Sequence, residues 1–555
     1  MKANLMYVAL LALCLIFGSM YVRERPINIL RLEKRGFLGA ELLHENDIRI
    51  RASGQMIIHH DGSAPQKNPP VDILGAHLLV SGDFRITTEL DDIGDGGTFR
   101  LYGEPPLVYD EWRSEPPSIE VSFGTTTIAL HVWDGSASTP IDMREYGFSP
   151  HGKTVLSIER WGGQIAMAIN GETLGSIPEH GSFKSGKVWF GADANARAGW
   201  LLSSLTAKPL SGGTVAVAPY VDPVLSHIDT SLLRTEALEQ RRPILIGAAI
   251  NLTALLYDEA YRKLALQEFS IWTPENGMKP QFIHPQEDVY SFADMDALVS
   301  IAKANDIQVH GHALVYAKSD PTWMTEAPPS ELPSIVTKHV QTVVSHFKGQ
   351  VSEWDVVNEP LSSKQAPYKD GRQGLEDTLW YKAMGEKYID AAFFTAHAAD
   401  PAAKLYLNDY GLEKDGQRWD AFLSLVKRLQ ARGVPINGVG FESHVYGDGD
   451  YIDPMQLKKH MEQLAALGLS ARISEIDVTG DDADMQIQQY VEALDVCLRE
   501  RNCTSYTTWG VTDKYGSTTR SDRYPLVFGT SLLWDTQLQA KPIVGALKDR
   551  LHQTN

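Results

Sequence analysis

At 555 residues the chain exceeds what one hydrophobic core usually organises, so two or more domains are expected. Apolar residues make up 43% and charged residues 22%, ordinary globular usage that excludes a disordered, collagen-like or polytopic membrane protein. The 51 Lys plus Arg against 70 Asp plus Glu leave a formal charge of −19. That balance argues against nucleic acid, or an anionic membrane surface, as the main partner, because both need a cationic face.

Residues 5–22 are almost continuously apolar, with no charge until Arg23. That length sits at the lower limit for spanning a bilayer. Phe17-Gly18-Ser19-Met20 makes no clean small-x-small cleavage site, and Leu13 is large where a lipoprotein box before Cys14 has a small residue. Residues 1–35 are therefore expected to be a membrane anchor or a signal segment, with the uncleaved anchor favoured. Arg23, Arg25, Arg31, Lys34 and Arg35 taken alone would stay in the cytoplasm. Cys497 and Cys503 pull the other way: they could close a small disulfide loop, which persists only in an oxidising compartment, or be two unrelated thiols. Export is the expectation, either anchored and facing the periplasm or exterior, or secreted after cleavage.

Residues 36–210 carry strand periodicity. IEVSFGTTTIALHVW, KTVLSIERWGGQIAMAING and GKVWFGA alternate apolar and polar residues. Trp161-Gly162-Gly163 and Asn170-Gly171 supply hairpin turns, since Gly and Asn accept positive φ at little cost. An antiparallel β-sandwich follows, resembling a concanavalin-type or laminin-G-like jelly roll and a possible carbohydrate-binding module. Trp112, Trp133, Trp161, Trp189 and Trp200 could form a sugar-stacking platform, although at strand spacing tryptophans more often belong to a core. Residues 211–232, with Gly212-Gly213, Pro219 and Pro223, are read as a linker.

From residue 233 to 555 short apolar runs alternate with helical stretches: ILIGAAI, FSIWTP, IQVHGHALVY, SEWDVVNEP, AKLYLND, INGVGFESH, ARISEID and SYTTWG. Eight such runs are the arithmetic of a (β/α)8 TIM barrel, so the fold class is multidomain, a sandwich followed by a barrel. Polar residues gather at the carboxyl ends of the runs: Glu275 and Asn276, His312, Asn358 and Glu359, Asn408 and Asp409, Glu442 and His444, Glu475 and Asp477, Trp509 and Asp513. In a barrel those ends converge on one face. Glu359 and Glu475 on facing strand ends suit glycosidic cleavage, in which one carboxyl group protonates the leaving oxygen and the other attacks the anomeric carbon. Alone, each acid reads as a surface salt-bridge partner; at matched strand ends they read as a pair.

TPENGMKP, HGHALVY, WDVVNEP, LYLNDYGLE, INGVGFESH, ISEID and WGVTDKY, with PLVF and KP near the end, occur in an order and spacing that resemble glycoside hydrolase family 10, the β-1,4-xylanase family. The resemblance implies a retaining endo-acting glycosidase with Glu359 as acid/base and Glu475 as nucleophile. It implies that Asn358 binds the 2-hydroxyl of the sugar beside the cleaved bond, and that Glu275, Asn276 and Lys279 bind the next sugar on the non-reducing side. His312 and Trp509 would line the cleavage subsite, with His444 and Asp477 supporting the nucleophile. The Cys497/Cys503 pair also matches a disulfide found in many members. No cofactor and no metal are implied.

The departures from the family pattern fall in the cleft. HGHALVYAKS puts Tyr316 where a stacking Trp is usual and Ala317 where a His contacts sugar. Glu442 replaces a Gln and brings a third carboxylate near the nucleophile, so it is expected to be protonated or to face a cation or an altered sugar. Gly516-Ser517 removes another indole. Xylan is the default substrate. The alternatives are a related β-linked polysaccharide such as an exopolysaccharide, or, in another class, a polysaccharide-binding protein on an inactive barrel. His310 and His312 are assigned to opposite faces of a strand, which speaks against a metal pair. DDIGDGG and YGDGDYID lack the spacing of a calcium-binding hand and are read as solvated turns. Nothing in the sequence fixes an oligomeric state.

Overall fold

The computed structural model describes residues 27–28, 48–50, 56–58, 72–91, 97–103, 117–134, 140–148, 152–194, 200–217, 232–362, 374–446, 450–480, 482–516 and 530–553. The chain divides into two compact units, residues 1–108 with 114–222, and residues 109–113 with 223–555. The expected anchor, apart from Ile27–Asn28, lies outside the described residues, as do Trp112, Ser517 and the PLVF stretch. Among the described residues no helix is long and apolar enough to cross a membrane.

Among the described residues of the first unit every strand pairing is antiparallel. One sheet runs Glu172–Pro178, Gln164–Ile169, Thr154–Trp161, Phe84–Asp91, Trp200–Pro209, Met56–Ile58, Ile48–Ile50, with Ile27–Asn28 also on Trp200–Pro209. The other runs Thr214–Val217, Asp72–Ser81, Lys187–Ala194, Gly97–Tyr102, Ser118–Phe123, Thr127–Trp133, Asp142–Gly147. Residues alternate strictly between buried and part-exposed in Phe84–Asp91 and in Thr127–Trp133. The period-two pattern places one row of each strand inward. Phe84, Ile86, Leu156 and Ile158 from one sheet share a core with Phe99, Leu101, Val121 and Leu130 from the other. The unit is thus a β-sandwich. Thr214–Val217, within the stretch read as linker, pairs with Asp72–Ser81 and belongs to the sheet.

The described tryptophan side chains of this unit, Trp133, Trp161 and Trp189, do not share one platform. Trp189 is buried, while Trp161 is 69% exposed on its hairpin turn. Trp133 ends a strand of the other sheet. Trp112 and the side chain of Trp200 fall outside the description.

In the second unit eight parallel strands close on themselves: β1 Leu245–Ile250, β2 Ile271–Pro274, β3 Gln308–Val315, β4 Glu353–Asn358, β5 Lys404–Asp409, β6 Gly438–Phe441, β7 Ser470–Thr479 and β8 Cys503–Thr508. β8 pairs with β1 through Leu245 and Ser505, and β6 with β7 through Gly438 and Ser470. An extra short strand, His444–Tyr446, follows β6 and pairs with the end of β7. The strands are buried along most of their length because helices cover their outer faces. Some of those helices begin with aspartate caps: Asp453 accepts from the Met455 and Gln456 amides, and Asp482 from those of Asp484 and Met485. Cys497 and Cys503 form a disulfide, at the end of the helix Ala483–Arg499 and the start of β8.

Candidate active site

The barrel interior turns polar partway along its strands. On β3, His310 Nε2 and His312 Nδ1 each lie 2.9 Å from a different oxygen of Asp355 on β4. The two imidazoles therefore share a face, correcting the sequence expectation: side chains alternate with period two, so residues two apart point the same way. Between them, a Cβ on Gly311 would fall 2.1 Å from the Trp354 ring, so only glycine fits. Burial raises the Asp355 carboxyl, but His310 and then His312 outweigh it and hold it ionised. Asp355 thereby orients His312, whose Nδ1 stands 3.8 Å from Glu475 Oε1.

Above this layer a cleft of about 600 Å³ opens at the carboxyl ends of the strands. Both Glu359 and Glu475 line it, with Asn276, Lys279, His312, Tyr316, Asn358, Glu442, His444 and Trp509. Structure thus gathers ten of the sequence-predicted site residues on one surface. Glu275 is buried nearby and accepts from Asn251 Nδ2 at 3.3 Å, without lining the cleft. Asp477 sits behind His444, its Oδ1 2.7 Å from Nδ1.

Glu475 is surrounded by donors. Asn408 Nδ2 donates to Oε1 at 2.8 Å, and His444 Nε2 lies 3.4 Å from Oε2. Burial alone would raise this carboxyl; His312 and then His444 outweigh it and hold it below the ordinary range. For His444 burial opposes the charge, but Tyr446, Asp477 and Glu475 raise it well above the usual imidazole range. Glu442 goes the opposite way. Burial first, then Glu475 and Glu359, push it well above the carboxylate range, so of the two neighbouring acids Glu442 carries the proton.

Asn408 organises this cluster, and the sequence noted it only as a polar strand end. Its amide faces Asn358 Oδ1 at 2.8 Å, Glu475 Oε1 at 2.8 Å and Glu442 Oε1 at 3.2 Å. Ser474 Oγ donates to Asn408 Oδ1 at 2.7 Å, which fixes the amide with its nitrogen toward the acids. Gly440 on β6 makes room: a Cβ there would lie 1.9 Å from Asn408 Oδ1. Glu413, also unassigned from sequence, accepts from the Ser443 amide and hydroxyl at 2.8 and 3.0 Å. It thereby secures the turn at Ser443 (φ 61°) that separates Glu442 from His444.

Glu359 sits differently. It follows β4 with φ of 47°, a left-handed turn that ends the strand, and its amide donates to the Asn408 carbonyl at 2.9 Å. Tyr316 Oη donates to Glu359 Oε1 at 2.7 Å, and the Lys318 ammonium bonds Oε2. Neither partner was assigned this role from sequence; the signal was the YAKS segment where the family pattern differs. Burial, then Glu359, keeps the Tyr316 phenol protonated and so a donor. Trp509 packs edge-on to His312 with centroids 5.2 Å apart, and Lys279 Nζ lies 5.6 Å from the Trp509 ring. Among the described residues, Glu442, His444 and Glu475 are the one acid–imidazole group close enough to share a cation, with donor atoms within 4.8 Å. Here the His444 Nε2 already faces both acids.

Residues 234–550 match the profile described as glycosyl hydrolase family 10. The chain belongs to that family. Endo-1,4-beta-xylanase B of Thermotoga neapolitana is 35% identical over 327 residues, covering 57% of this chain and 91% of that protein. Native xylanase 10B from Thermotoga maritima superposes with a TM-score of 0.53 at 35% identity, over 58% of this chain and 98% of that one. Xylanase 10B from Thermotoga petrophila RKU-1, solved in complex with xylobiose, gives 0.54 at 34% identity, over 59% and 99%. Family 10 enzymes are retaining glycoside hydrolases, and this chain is a glycoside hydrolase with the family barrel.

Proposed function

We propose that the enzyme cleaves β-1,4-xylan internally by double displacement. The observation that carries the reading is the unequal environment of two acids in one cleft: Glu475 held ionised by Asn408, His312 and His444, Glu359 bonded instead by Tyr316 and Lys318. Glu475 attacks the anomeric carbon as Glu359 protonates the leaving oxygen; Glu359 then takes a proton from water, which displaces Glu475. Asn358, tied to Asn408, is placed to bond the 2-hydroxyl of the sugar in the cleavage subsite. Lys279 and Asn276 hold the next sugar on the non-reducing side, with Glu275 supporting them, and His312 and Trp509 wall the subsite. His444 and Asp477 keep the nucleophile charged. Tyr316 in place of an indole leaves xylan as the default and a substituted or related β-linked polysaccharide as the alternative.

The sandwich, as a concanavalin-like or laminin-G-like module, is proposed to bind polysaccharide. Export, with residues 1–35 as anchor or signal, agrees with the Cys497–Cys503 disulfide, which needs an oxidising compartment. The test is hydrolysis of an aryl β-xylobioside by the wild type and by Glu475→Ala, followed by product mass spectrometry on a polysaccharide panel. Glu475→Ala should lose about 10⁴-fold or more in kcat. Equal, background-level turnover by both proteins, with equal xylan binding, would make the barrel a binding scaffold.

A further inference from the structure

The acid/base carboxylate is capped on both oxygens by side chains of its own chain. Tyr316 occupies Oε1 and Lys318 occupies Oε2, both from the segment after β3, where the short 3₁₀ turn Ala317–Ser319 begins. The two caps differ in mobility. Tyr316 is half-buried and packed near Lys279, whose Nζ lies 5.7 Å from its ring. The Lys318 side chain is 60% exposed, against 11% for Glu359. Its ammonium also lies 5.3 Å from the Tyr410 ring, which lines the same cleft and offers a second resting place.

A carboxyl oxygen that must hand a proton to a glycosidic oxygen cannot do so while it is bonded to an ammonium of its own chain. We infer that Lys318 is a positioning residue, a latch that pairs with Glu359 in the empty cleft and is displaced toward Tyr410 when sugar occupies the leaving-group side. Charged and titratable groups facing Glu359 from the other elements are Asp409 at the end of β5 and Tyr410 just after it, Arg418 bonded to Asp409, and Glu442 after β6. None of these carries an exposed cation to a Glu359 oxygen; Lys318 does. The inference rests on the assignment of Glu359 as acid/base.

The experiment is the pH dependence of wild type, Lys318→Met and Lys318→Arg on two aryl β-xylobiosides, one with a poor leaving group and one with 2,4-dinitrophenolate. Free-enzyme ionisations appear in kcat/KM and bound-state ionisations in kcat. With the poor leaving group, the wild-type basic limb of kcat/KM should fall below that of kcat. Lys318→Met should move the kcat/KM limb up by about one pH unit, toward the kcat limb. Lys318→Arg should keep the wild-type profile. Added salt should shift the wild type and not Lys318→Met, because an exposed pair is screened. Dinitrophenolate departs without protonation, so its kcat/KM should not respond to the substitution. Coincident wild-type limbs, or a Lys318→Met limb that stays or moves down, would overturn the latch. Absence of turnover by wild type on both substrates would instead overturn the acid/base assignment beneath it, and the latch with it.

Discussion

The sandwich and the barrel bury their polar groups in opposite ways. Between the two sheets of the sandwich the shared core is apolar apart from hydroxyls such as that of Thr88, which donates to the Ser204 carbonyl at 2.8 Å. Its tightest buried ion pair, Arg100 Nε to Glu120 Oε2 at 2.5 Å, comes from residues alternating with Phe99, Leu101, Ile119 and Val121, so it lies on the other face of its sheet. The barrel places His310, His312, Asp355, Asn408, Glu442 and Glu475 inside, all nearly inaccessible. Burying such groups costs several kcal/mol unless each is paired, and here the partners form a connected network. The sandwich core is built for stability alone. The barrel accepts a costly polar interior because an electrostatic environment set before substrate arrives is what lowers a reaction barrier.

That contrast can be broken experimentally. Among the substitutions that probe this contrast, the largest effect is expected from Asn408→Ala, which removes the amide shared by Asn358 and Glu475; kcat on an aryl xylobioside should drop by about 10²–10³-fold. A drop under tenfold would mean that the imidazoles alone set the nucleophile. Next, Leu156→Ala in the sandwich core should cost about 2–5 kcal/mol in denaturant unfolding of that unit. Its effect on kcat of the folded enzyme should be nil, and a matching loss of kcat would erase the division of labour. The smallest effect is expected from Glu442→Gln. Burial and Glu475 push Glu442 well above the ordinary carboxylate range, so a neutral isostere should leave the pH optimum nearly in place. A large displacement of the optimum would show that Glu442 works as an anion.

Much of this was legible in the sequence because it depends on local pattern. Buried strands announce themselves as short apolar runs, and an abrupt polar residue at the end of such a run, as in VVNE or RISEID, marks a site facing the barrel mouth. Period-two alternation announced the sandwich core in the same way. The extent of the second sheet was less legible, since TVAV at 214–217 is too short to stand out from a Gly-flanked linker until it finds Asp72–Ser81. Trp133, Trp161 and Trp189 are spread apart for a related reason: composition counts flat rings but does not tell which sheet or face each joins.

The sequence by itself determined which residue types stand at the strand ends, and hence that a carboxylate pair on a barrel was present. Only the tertiary structure decided how charge is shared among them. Whether Glu442 or Glu475 holds a proton, that Asn408 is the hub, and that Tyr316 and Lys318 cap Glu359 all follow from distances between residues far apart in the sequence, His312 and Glu475 among them. A carboxyl group's ionisation is set by burial and by neighbours within a few ångströms, and those neighbours arrive from other strands only when the barrel closes.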